Sequence, residues 1–152
     1  MKYRIDNIVI VDSNDDRSHC LKDYGQFYVE KENIVIFDES ISGVRKKIME
    51  HIKELVKNDK QVMFVFNFPA LKDPDIVFSV YDAVRETNHK IRSVLMSCDA
   101  GKRSRKFYKK NRLETFPEEP FFYSCKITGA RALGEKVPAL FKDVVPLWGR
   151  RE

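Results

Sequence analysis

Five short strand-like stretches set the limits on this chain: "NIVIV" (7–11), a continuous apolar run, then "NIVIF" (33–37), "VMFVF" (62–66), "RSVLMS" (92–97) and "FFYSC" (121–125). A half-exposed strand alternates apolar and polar residues, whereas a strand buried on both faces reads as a continuous run. The stretches between the runs carry helical periodicity. Strands alternating with helices predict an α/β fold with a parallel sheet. Right-handed crossovers then put helices on both faces.

The connecting segments supply the detail. A helix is expected to start among Ser13–Asp16 and to run through "RSHCLKDYG", stopping at Gly25. Ser40 or Ser42 is the expected cap of the next helix. Its stripe is Val44, Ile48, Ile52, Leu55 and Val56, with Arg45, Lys46, Lys53 and Lys57 toward water. "NDK" (58–60) turns into the third run. Asp73-Pro74 marks a helix start whose apolar positions are Val77, Val80, Tyr81 and Val84. The last helix carries Leu133, Val137, Leu140, Phe141 and Val144. Gly134 and Pro138 interrupt it, so it is expected to kink or to begin only near Glu135.

Composition narrows the class. The 152 residues suffice for one domain, taken as 1–152, and 43% hydrophobic residues against 34% charged residues describe a globular chain. No apolar run approaches membrane-span length, and the basic-then-apolar start is too short for a signal peptide, so a cytoplasmic protein with no membrane association is expected. Three cysteines, Cys20, Cys98 and Cys125, form neither a disulfide framework nor a zinc spacing. His19 beside Cys20 reads as a helix-start histidine next to a buried thiol rather than as half a metal site.

In parallel α/β sheets, ligands bind outside the carboxyl ends of the strands. The residues at those ends are Asp12, Asp38, Asn67, Ser97 and Lys126, all polar or charged.

At this point the chain resembles a response-regulator receiver domain over nearly its whole length. "IVIVDSNDDRSHCLKDYG" is similar to that family's first strand, acidic turn and first helix. "SVLMS" resembles a fourth strand ending on a hydroxyl residue. "FFYSCK" followed by Leu133, Val137 and Leu140 resembles the fifth strand, its lysine and the last helix. The resemblance implies a five-stranded parallel sheet in the order 2-1-3-4-5, of the flavodoxin-like type. It places Asp12 at an acidic metal-ligand position, with Ser13 at the neighbouring acidic position and Asp15 or Asp16 as substitutes. Asn67 takes the place of the phosphoaccepting aspartate, Ser97 that of the switch hydroxyl and Lys126 that of the family's invariant-type lysine.

The departures set the functional expectation. An acyl phosphate needs a carboxylate nucleophile, and Asn67 is an amide. Hard cations prefer carboxylate oxygens, and Ser13 and Asn67 remove two of them, so weak Mg²⁺ binding at most is expected and no cofactor or metal is assigned. An asparagine keeps the shape and hydrogen bonding of the acid without its charge. Lys126 is available to pair with Asp12 and to donate to the Asn67 oxygen. The expectation is a degenerate pseudo-receiver, not an enzyme, held in one conformation for protein–protein interaction. After Asn67 the proline comes two positions on, sooner than the family pattern places it, which leaves the register around 65–69 open.

The net charge of +5 is unevenly spread: "GKRSRKFYKKNR" carries Lys102, Arg103, Arg105, Lys106, Lys109, Lys110 and Arg112, with Phe107 and Tyr108 between them. In receivers this region belongs to the output face, and the charge implies an acidic protein partner. Direct nucleic-acid binding ranks below a solvated helix whose aromatics face the core. No Ser-His-Asp order, H-E-x-x-H or phosphate-binding G-x-x-x-x-G-K-[ST] is present. Two alternatives remain. "IVIVDSN", "VFNFPA" and "ITGARALGEKVPALF" also resemble parts of a ParA-like P-loop ATPase, which makes the chain a truncated or non-hydrolysing relative. The other is a structural domain unrelated to either family.

Overall fold

The computed structural model describes residues 5–12, 15–68, 79, 92–97, 121–124 and 130–145; at 15, 67–68, 92–97, 121–124, 130–133 and 144 the backbone alone is described. It is an α/β fold built on a parallel sheet. The elements in chain order are β1 (Asn7–Val11), α1 (Asp15–Gly25), a 3-10 turn (Lys31–Asn33), β2 (Ile34–Phe37), α2 (Val44–Lys57), β3 (Val62–Phe68), β4 (Arg92–Ser97), β5 (Phe121–Ser124) and α3 (Ala130–Val144). Of the third helix expected from Asp73-Pro74, Ser79 alone is described, and it is helical; Val77, Val80, Tyr81 and Val84 and the basic segment 102–112 lie outside the described residues.

β1 is the central strand of the described core. Ile8, Val9, Ile10 and Val11 pair with Ile34–Phe37 on one side and with Met63–Phe66 on the other, all in parallel. The continuous apolar run is buried on both faces, as its composition requires: Ile8, Val9 and Ile10 are fully buried, and so are Val62, Met63, Phe64 and Phe66. The start of the sheet is tied by Asp6 and Gln61. The Asp6 and Asn7 amides donate to the Gln61 carbonyl, and the Gln61 amide donates to the Asp6 carboxylate at 2.8 Å. Parallel pairing continues from β3 to the backbone of β4, and from β4 to that of β5.

Alternation along the strands sorts the side chains onto two faces. Ile8 and Ile10 of β1 and Met63 and Val65 of β3 share one buried cluster with Leu21 of α1 and with Val137, Leu140 and Phe141 of α3. Val9, Val11, Phe64 and Phe66 face the other side. There Phe37, opposite Val11, meets His51 of α2 at 5.7 Å between ring centroids. Ile48, Ile52 and Leu55 bury the stripe expected of α2, and Arg45, Lys46, Lys53 and Lys57 point away from it. Thus α1 and α3 cover one face and α2 covers the other.

Several local expectations are corrected. Neither Ser40 nor Ser42 caps α2. The N-cap is Gly43, at φ 78°, with no side-chain bond. Ser40 instead donates its amide and hydroxyl to Asp38 Oδ1, at 2.9 and 2.6 Å. That bond closes an Asx turn before the chain reaches the helix. The third strand runs on through Asn67 to Phe68 rather than stopping at Phe66. The last helix begins at Ala130 and passes through Pro138 without restarting at Glu135. Proline's ring presses on the carbonyl four residues back, which here belongs to Gly134, a residue with open space around it. The buried residue at that helix's end is Val145; the side chain of Val144 lies outside the described residues.

Candidate functional site

The sheet places the polar strand ends in a row. Val11 pairs with both Phe37 and Phe66, so the next positions along the three strands are Asp38, Asp12 and Asn67. The Asp12 amide donates to the Phe37 carbonyl at 3.1 Å, which carries the ladder one step past the end of β1. Across β3 and β4, Asn67 pairs with Met96 and Phe68 with Ser97, so Ser97 lies one register step beyond Asn67. Ser97 in turn pairs with Ser124 of β5.

Asp12 is the centre of the described part of the site. It is 2% exposed. Both carboxylate oxygens accept hydrogen bonds from one guanidinium: Arg17 Nε donates to Oδ2 at 2.6 Å and Nη2 donates to Oδ1 at 2.7 Å. Two parallel charge-assisted bonds fix the plane of the carboxylate as well as its charge. Arg17 itself is 9% exposed. The local sequence explains how it gets there. Two residues separate the end of the β1 extension from the start of α1, so the first turn of the helix stands directly over the strand end. From the third helical position, the Arg17 side chain reaches back five residues.

The position is unusual for a cation. A helix N-terminus carries partial positive charge, and arginine in the first turn is disfavoured there unless an anion offsets it. Asp12 supplies that anion. The receiver resemblance points to Lys126 as the partner of Asp12, and the structure adds Arg17, which the resemblance does not name. Lys126 and Ser13 lie outside the described residues, and for Asp15, Asn67 and Ser97 only the backbone position is described. Asp16 is exposed on the first turn of α1. The signal for Arg17 in the sequence is the spacing Asp12-x-x-x-x-Arg17 across a strand-to-helix turn.

The arrangement does not fit a divalent cation of the kind the receiver resemblance implies. A hard cation needs carboxylate oxygens free to enter its shell, and the two on Asp12 already face a guanidinium. Among the described residues, no group of three or more His, Cys, Asp or Glu is placed to hold a metal ion. Asp38, the neighbouring carboxylate in the row, accepts from Ser40 within its own turn.

Two other titratable groups are described away from the row. The Cys20 thiol is half-buried, and burial together with the Asp23 charge pushes its pKa up. Burial pushes the His51 imidazole below its usual range, and its Nε2 is a buried atom with no hydrogen-bond partner among the described residues. His19 is exposed. Among the described residues, no helix is long and apolar enough to cross a membrane.

The comparisons with known proteins return nothing: no family model matches the chain, and neither does any curated protein or solved structure.

Proposed function

We propose that the chain is a receiver-like signalling module that takes no phosphoryl group and acts through protein–protein contact. In this reading the sheet is five-stranded and flavodoxin-like. The backbone registers support it, giving the strand order β2-β1-β3-β4-β5. The observation that carries the reading is the row Asp38, Asp12, Asn67 at the carboxyl edge, in which the central carboxylate is neutralised from within by Arg17. The position beside it holds an amide that cannot form an acyl phosphate. Such an edge lacks the carboxylate at the position the receiver resemblance gives to the phosphoacceptor.

The output in this reading is the basic segment with Lys102, Arg103, Arg105, Lys106, Lys109, Lys110 and Arg112, whose charge would steer an acidic protein partner. The decisive experiment is incubation with a small acyl-phosphate donor and Mg²⁺, followed by intact-mass measurement. No adduct is expected. A hydroxylamine-labile gain of one phosphoryl mass at Asp12 or Asp38 would refute the reading. Affinity capture comparing the wild type with a charge-reversed 102–112 variant tests the output face, and equal recovery of the same partner by both would remove it from the proposal.

A further inference from the structure

We infer that Arg17 is the resident cation of the strand-end pocket, a tethered guanidinium standing where a receiver-like site takes a diffusible divalent ion. The inference rests on the receiver-like reading of the row Asp38, Asp12, Asn67, and it assigns the role of the cation that pairs with the row's central carboxylate.

Three observations converge. The Asp12 carboxylate is fully buried, with no exposed side-chain surface. Buried anions are retained only when a cation and hydrogen bonds accompany them. The cation present is covalently part of the chain, and it approaches in the bidentate geometry that satisfies both oxygens at once. It also comes from the first turn of α1, where the helix dipole opposes a positive charge, so the carboxylate is what holds it there. The consequence is a pocket whose charge does not depend on the concentration of divalent cations, and whose α1 N-terminus stays clamped to the end of β1.

The test uses Mn²⁺ as the probe, at pH 8 and constant ionic strength. Wild-type protein is expected to leave free Mn²⁺ unchanged in electron paramagnetic resonance titrations into the millimolar range, and to keep its melting temperature. Arg17→Met preserves length and removes the charge. It is expected to melt lower than wild type and to regain about 2–4 °C on addition of saturating Mn²⁺. Arg17→Lys keeps a cation and is expected to remain indifferent to Mn²⁺. Asp12→Asn/Arg17→Met removes both charges and is expected to be indifferent too. Sub-millimolar Mn²⁺ binding by the wild type, which needs no variant to fold, would overturn the inference. So would an Arg17→Met protein that folds and gains nothing from Mn²⁺. A phosphoryl adduct on wild-type protein that binds no Mn²⁺ would instead defeat the reading of the pocket as non-phosphorylatable and leave the counter-ion intact.

Discussion

Tyr28 and Phe141 stack face to face, with ring centroids 5.3 Å apart and planes within 8° of parallel. The contact joins the turn after α1 to the last helix, residues more than a hundred positions apart in the chain. Tyr24 completes the group at 5.5 Å from Phe141 and 6.2 Å from Tyr28. Phe141 is fully buried, so Phe141→Ala is expected to cost about 3–5 kcal/mol. In a double-mutant cycle with Tyr28→Ala, the coupling is expected at about 0.5–1.5 kcal/mol. Denaturant melts of the four proteins measure both. Strict additivity would mean that the stack carries no energy of its own.

Gly25 ends α1 where the helix meets the sheet most closely. A Cβ there would lie 3.1 Å from Ile8 Cδ1 and 3.2 Å from Ile34 Cδ1. Both contacts are the far ends of flexible side chains, but both isoleucines are buried. Gly25→Ala is therefore expected to be nearly neutral, because the gain in helix propensity of about 1 kcal/mol offsets the crowding. Gly25→Val adds branches that have nowhere to go and is expected to destabilise by about 1–3 kcal/mol. Urea melts separate the two outcomes.

Breaking the Asp12–Arg17 pair from one side takes the bidentate partner from a buried charge. Arg17→Ala is expected to lose about 3–5 kcal/mol. Asp12→Asn/Arg17→Met is expected to lose much less, because neither charge then needs the other. A double variant as unstable as Arg17→Ala would show that packing, not charge, sets the cost.

Asn67→Asp restores a carboxylate at the row position next to Asp12. With Arg17 still on Asp12 and serine still at position 13, phosphorylation by a small acyl-phosphate donor is expected to be partial at most. Stoichiometric, Mg²⁺-dependent labelling of Asn67→Asp would contradict this. Phos-tag electrophoresis or intact mass reads the yield.

His51 gives the fold a pH dependence of known sign. Burial against Phe37 lowers its folded pKa below the unfolded value of 6.5. Well above that value both states are neutral and His51 contributes no slope. As pH falls through 6.5 the unfolded chain takes up the proton first, so stability drops until the folded pKa is passed. His51→Gln is expected to flatten the part of the stability profile just below pH 6.5. An unchanged slope in that variant would assign it to other groups.

The sheet core is readable in the sequence because its signal is simple. "NIVIV" and "VMFVF" are buried on both faces, and a strand inside a two-faced sheet has that use for four or five consecutive apolar residues. The α2 stripe is equally plain, since Ile48, Ile52 and Leu55 fall on one side of a 3.6-residue repeat. Caps and ends are harder. Asp38 competes for Ser40 through an Asx turn, which no periodicity reports, and the left-handed Gly43 then starts the helix. The proline at 138 argues for a break, yet the helix runs from Ala130 to Val144 through it. Arg17 escapes a reading by residue type because its role depends on where the first turn of α1 sits relative to the end of β1, a three-dimensional fact that spacing alone only hints at.

The register of β1 against β3 bears on how the chain reaches this state. Ile8 pairs with Met63 and Val11 with Phe66, so each partner is about fifty-five residues downstream. During synthesis β1 must wait, paired on one side only with β2, for its second neighbour to emerge. Non-local parallel pairing of this kind is slow, and the unsatisfied edge left meanwhile is a surface for self-association. The interval between the emergence of Phe37 and that of Phe66 is thus the window in which a chaperone, or a second nascent chain, has most to gain from contact with β1.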